Sequence, residues 1–123
     1  MLFDSLDFKA MEASLGALNT KQQVITQNLA NIDTPGYKTQ EVSFQDLLQG
    51  EMGRDITKGS DYSFQTKIIQ TEDTYFTPDG NNVDADKESL ELYSAYLQSS
   101  YIIQKMNSTI GNYQYVLTNA SFR

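Results

Sequence analysis

Two runs of mostly apolar residues, spaced alternately three and four apart, sit at opposite ends of this chain and constrain its fold more than any other feature. In the first, Phe8, Met11, Leu15, Leu18, Gln22, Ile25, Leu29 and Ile32 recur at that spacing. In the second, Leu92, Tyr96, Ser99, Ile103, Met106, Ile110, Tyr113, Leu117 and Ala120 do the same. This alternation keeps one narrow stripe of a helix turned towards a partner helix over several heptads. The pattern predicts a mainly α chain. Its long N- and C-terminal helices pair as a coiled-coil-like hairpin, with a small irregular or β middle segment. The two stripes form an assembly seam, within the chain or between neighbouring subunits.

Local signals place the ends of both helices. The first is expected from about Ser5 to Asn31, with Asp4, Ser5 and Asp7 as caps or favourable charges at its positive end. Gly16 lies inside it and is a place where another backbone could approach closely. Gln22 is the polar member of the stripe and a candidate for setting register. The helix stops at Asn31-Ile32-Asp33-Thr34-Pro35-Gly36-Tyr37-Lys38. Pro35 drives Thr34 towards extended geometry, and Pro35-Gly36 suits the centre of a type II turn, with Gly36 at positive φ. Asn31, Thr34, Pro35, Gly36 and Tyr37 therefore form a motif turn that redirects the chain. Thr77-Pro78-Asp79-Gly80 has the residue order of a type I turn. Asp84 follows as an N-cap, with Asp86 and Glu88 adding charge to the first turn of a helix from about Ala85 to Asn119.

The middle of the chain carries weaker signals. Val42, Phe44, Leu47 and Leu48 suggest a short helical turn, and residues 50–59 a polar loop. Tyr62, Phe64, Thr66 and Ile68 share one face of a possible strand. A second strand through Thr74, Tyr75 and Phe76 would complete a hairpin, which alone is marginal in water and needs cover. The expected organisation is an N-terminal axial helix over 1–33, a turn plus small loop or β-hairpin region over 34–83, and a C-terminal axial helix over 84–123.

Composition narrows the function. Leu, Ile, Val and Phe make up about a quarter of the 123 residues, and Ser, Thr, Asn and Gln about a third, so a solitary monomer has a thin core. Two apolar faces on the second helix, the main stripe and an adjoining Leu90, Tyr93, Leu97 and Tyr101, imply more than one neighbouring helix. A net charge of −7 with scattered basic residues argues against nucleic acid and against an anionic membrane surface. No apolar stretch is long enough to span a bilayer, so direct membrane insertion is not expected. The start has no basic segment followed by an apolar core, so a cleavable signal is not expected either. With no His and no Cys, the usual general base and soft nucleophile are missing, and no constellation suggests an enzyme or a cofactor. The acidic run Asp79 to Asp86 does not meet the spacing of a calcium loop, so no metal site is expected. The sequons at Asn107 and Asn119 fall on a helix and read as chance.

The segments Leu2 to Ala10, Gln22 to Ile25 and Asn28 to Lys38, with their Ala-Asn-x-x-Thr-Pro-Gly-Tyr signature, resemble the rod and hook axial proteins of the bacterial flagellum. The opening residues and Asp79-Gly80-Asn81-Asn82-Val83-Asp84 resemble a short proximal-rod member most closely. The likeness covers residues 2–48 strongly and 79–118 more loosely. It implies a non-enzymatic subunit of the basal-body rod, the tubular drive shaft that carries torque from motor to hook and filament. Terminal helices form the tube in such proteins, which pass unfolded through the flagellar type III apparatus without a cleavable signal. The implied partners are other rod proteins, further copies of the chain, and the basal junction with the export gate. The implied location is the basal body as it crosses the periplasm. A sibling proximal rod protein and a soluble coiled-coil adaptor or export chaperone are the alternatives.

Overall fold

The computed structural model describes residues 5–43, 66–72 and 77–120. Its elements run α1 (Leu6–Ala30), β1 (Gln40–Ser43), β2 (Lys67–Gln70) and α2 (Ala85–Asn119). The chain is mainly helical, with two long helices packed on each other and a two-stranded antiparallel sheet at one end.

The helix boundaries follow from their caps. The Ser5 side chain accepts a hydrogen bond from the Phe8 amide, and Asp7 supplies negative charge in the first turn of α1. Asp84 accepts from the amides of Asp86 and Lys87, so α2 starts where its capping aspartate places it. Helix α2 runs through Gly111 without a break. Gly16 has no atom within 4 Å of where a Cβ would lie, so among the described residues no backbone approaches it closely.

Three side-chain contacts show that the helices are antiparallel. Asn28 meets Glu88, Lys21 meets Glu91, and Gln22 meets Ser99. The polar member of the first stripe thus bonds the polar member of the second at 3.2 Å, one of the three contacts that fix the register of the hairpin. Among the described residues the buried apolar members of the core are Phe8, Ala17, Leu18, Val24, Ile25, Val83 and Ala95.

The sheet differs from expectation. Lys67–Gln70 lies later than the strand expected around residues 62–68, and its partner is β1, with Gln40 opposite Gln70 and Ser43 opposite Lys67. Val42 belongs to β1, not to a helical turn. All four residues of β1 are half-buried, so no alternation of apolar and polar residues announces the strand. Phe44, Leu47, Leu48, residues 62–65 and residues 74–76 lie outside the described residues.

Candidate assembly site

The end of the hairpin where α1 leaves and α2 begins is held by three asparagine carboxamides. Asn28, on the last turn of α1, is fully buried. Its Nδ2 donates to the Gln40 carbonyl at 2.8 Å and to Glu88 Oε2 at 3.0 Å. Its Oδ1 accepts from the Gln40 amide at 3.0 Å and the Tyr37 hydroxyl at 3.2 Å. All donors and acceptors of the side chain are used. Towards Gln40 the carboxamide presents one donor and one acceptor, as a residue of a paired antiparallel strand does, and so helps to hold β1 extended.

Asn81, 1% exposed, closes α1 from a distance. Its Nδ2 donates to the carbonyls of Asn31, Ile32 and Thr34 at 2.8–2.9 Å, while its Oδ1 accepts from the Val83 amide. Helix C-termini leave carbonyls without partners, and the last turn of α1 carries no basic residue. The amide of Asn81 answers both. Asn82 accepts from the Thr39 amide and hydroxyl and donates to the Thr71 carbonyl, which joins the start of β1 to the end of β2.

The two turns lie back to back. The Thr34 carbonyl accepts from the Tyr37 amide, and Gly36 sits at φ +71°, in the left-handed region. The Thr77 carbonyl accepts from the Gly80 amide, and Gly80 sits at φ +84°. Gly36 donates to the Asp79 carbonyl, Asn82 to the Tyr37 carbonyl, and Lys38 Nζ to the Gly80 carbonyl at 2.5 Å. A Cβ on Gly80 would stand 3.7 Å from the Gly36 α-carbon. Asp79 accepts from the Thr77 hydroxyl and the Asn81 amide, and these bonds, the Thr77 one foremost, hold its carboxyl below the ordinary aspartate range. Among the described residues no buried side-chain nitrogen or oxygen lacks a partner.

The stripe residues divide unevenly. On α1, Phe8, Leu18 and Ile25 are buried, and Met11, Leu15 and Leu29 half-buried. Ile32 falls beyond the helix end and is exposed. On α2, Leu92, Met106 and Ile110 are half-buried. Tyr96 is 61% and Ile103 48% exposed, and Tyr113 and Leu117 are exposed as well. On the side of α2 where Glu88 and Ser99 bond α1, the less exposed row runs Glu88, Leu92, Ala95, Ser99, Ile102, Met106, so the alternation holds but one of its two rows is shifted by a residue. Ala95, 0% exposed, occupies the place expected of Tyr96, because a small side chain lets α1 approach closely where a tyrosine ring could not fit. In the motif turn, Asn31 and Tyr37 are half-buried, and Thr34, Pro35 and Gly36 are exposed.

Sequence reasoning did not single out Asn28, Thr39, Asn81, Asn82 or Glu88 as structural anchors. Glu88 was within reach, since one further step of four below Leu92 lands on it. The asparagines carry no periodic signal; their partners are backbone groups remote in sequence.

On the side of α2 away from α1, Leu90, Tyr93, Leu97 and Tyr101 form an exposed row. All residues from 111 to 120 are exposed too. At about 1.5 Å per residue α2 is roughly 15 Å longer than α1, and its C-terminal part runs on past the described start of α1. What this hairpin presents is helical surface, the property of a subunit that packs into an assembly.

The family described as flagella basal body rod protein matches residues 11–38, from α1 through the motif turn. The flagellar basal body rod protein FlgB of Bacillus subtilis (strain 168) is 38% identical over 116 residues, covering 88% of this chain and 90% of that protein. The chain belongs to the family of flagellar basal body rod proteins. Proteins of the same name from Aeromonas hydrophila and Escherichia coli (strain K12) are each 27% identical. They cover 84% and 98% of this chain, and 86% and 100% of their own lengths.

Proposed function

We propose that this chain is a structural, non-catalytic subunit of the bacterial flagellar basal-body rod. Its clasped hairpin packs beside other copies and other rod proteins to form a tube that transmits torque. Membership of the rod family supports the location. The observation that carries the mechanism is the second apolar row of α2, Leu90, Tyr93, Leu97 and Tyr101, left open when α1 covers the first. Large amphipathic rings on an exposed helix face suit a surface that is wet before assembly and buried after it. No described helix is long and apolar enough to cross a membrane.

In this reading α1 and α2 are the axial arms and the region from 34 to 83 lies outside them. The stripes serve two ends: Phe8, Leu18, Ile25 and Leu92 close the hairpin, and Tyr96, Ile103, Tyr113 and Leu117 meet neighbouring subunits. Export through the flagellar type III route without a cleavable signal, and contact with the export-gate junction, complete the proposal. Deletion of the gene, with plasmid complementation and electron microscopy of isolated basal bodies, tests it. Rings lacking a rod, restored by complementation, support the role. A complete rod and normal swimming after deletion overturn it in favour of an adaptor or export chaperone.

A further inference from the structure

Among the described residues, Glu88 is the one carboxylate buried inside the hairpin, at 4% exposure. It lies at the side of an open cleft of about 240 Å³ between α1, β1 and α2, lined also by Lys21, Val24, Glu41, Lys87 and Glu91. Lys21 bridges to Glu91 at 2.5 Å and Lys87 to Glu41 at 3.1 Å across the same cleft. Glu88 Oε2 accepts from Asn28, the carboxamide that also fixes Tyr37 and Gln40. The contact therefore joins α2 to α1, β1 and the motif turn through one carboxamide.

We propose that Glu88 is a proton-sensitive latch on the closed end of the hairpin: its burial in a cleft shared with Glu41 and Glu91 makes the closed end hold more firmly when Glu88 is protonated than when it is ionised, even though the Asn28 bond by itself is stronger to the ionised carboxylate. The geometry supplies the reason. The titratable groups facing Glu88 are Lys21 from α1, Tyr37 from the turn, Glu41 from β1, and Lys87 and Glu91 from α2. Protonation removes one of three negative charges around the cleft and the cost of keeping a charge out of water. The neutral carboxyl still accepts from Asn28. Burial, chiefly, raises the Glu88 carboxyl above the ordinary value of 4.5; Glu41 and Glu91 raise it further, against Asn28 and Lys87. The folded chain thus holds this proton more tightly than the unfolded one. Its stabilising contribution is complete below pH 4.5 and is lost as pH rises to the folded value. Tyr37 is raised in turn, first by burial and then by the Glu88 charge, which keeps its hydroxyl a donor to Asn28. The latch depends on the hairpin alone, not on the assembled rod.

Thermal unfolding of the full chain and of Glu88→Gln, followed by circular dichroism from about pH 4.5 to about pH 8, tests the latch. Gln keeps an oxygen for Asn28 and carries no charge. It is expected to melt about 4 °C or more above wild type at the alkaline end, with the gap closing towards the acid end. Glu12→Gln, at an exposed position, is expected to show no such pH-dependent gap. A gap that does not vary with pH, or a variant less stable than wild type at the alkaline end, overturns the proposal. Carbon-13 titration of the wild-type side-chain carboxyls decides independently if the variant fails to fold. Glu88 should have the highest midpoint of the glutamates, and the Gln40 amide resonance should move with it. A midpoint no higher than the others, or a Gln40 amide indifferent to it, overturns the latch.

Discussion

A carboxamide is the short neutral side chain that offers donors and acceptors together, and this fold spends three of them on backbone groups. Replacing Asn81 by Ala takes one donor from the carbonyls of Asn31, Ile32 and Thr34, of which Asn31 and Thr34 keep a backbone amide, and leaves the buried Val83 amide without its acceptor. The expected loss is about 1–3 kcal/mol, the cost of buried polar groups left unsatisfied, read as a lower urea midpoint with an unchanged slope. Gly36→Val tests the turn: a β-branched residue at φ +71° is strained, so the variant should melt below wild type and assemble rods poorly. Rods of normal length and number in that strain count against a role for the turn. At this scale the sequence was partly legible. Gly36 and Asp84 announce themselves because turn and cap chemistry is local, and their neighbours suffice to read them. Asn28 and Asn81 do not, since each is defined by a partner far along the chain.

The helices were the most legible elements, because caps, spacing and a Pro-Gly stop all act within a few residues. Both were placed to within a residue of their ends. The phase of the α2 stripe was legible only in half. Leu92, Ser99 and Met106 were placed on the α1-facing side, but the larger side chains Tyr96 and Ile103 outweighed Ala95 and Ile102 in a reading based on hydrophobicity. Packing geometry favours the small residue at the closest approach, and no single-chain pattern reports that distance. This phase gives a pair of expectations. Ala95→Leu should overpack the helix contact and cost about 1–3 kcal/mol, measured by chemical denaturation. Ile103→Asp should leave the melting temperature of the free chain close to wild type, because the side chain is exposed there, yet abolish motility. Wild-type swimming in that strain argues that the row through Ile103 meets no neighbour. The strands were the least legible: β1 is held by Asn28 and by β2 rather than by any alternation of its own.

For the whole molecule, the notable asymmetry among the described residues is that one end of the hairpin is tied by a dense set of hydrogen bonds, while at the other end α2 runs on past the described start of α1. Ending the chain after Ile110 removes only exposed residues of α2 and the last three of the chain. The truncated chain should therefore keep the unfolding midpoint of the full chain and fail to restore a rod in a deletion strain. A truncated chain that rescues motility argues that the projection is dispensable. The overall architecture of two axial helices was legible because it is written in periodicity. The tying of their ends was not, because it depends on which loops meet in space.

Gly36 and Gly80 stand against each other with both backbones left-handed, and that arrangement has a genetic reading. Every single-base change in a glycine codon that alters the amino acid either introduces a side chain with a Cβ or stops translation. Of the neighbours the code offers, Asp alone is at home in a left-handed backbone, so drift at these two codons, distant in the gene but adjacent in space, is held largely to synonymous third-base changes.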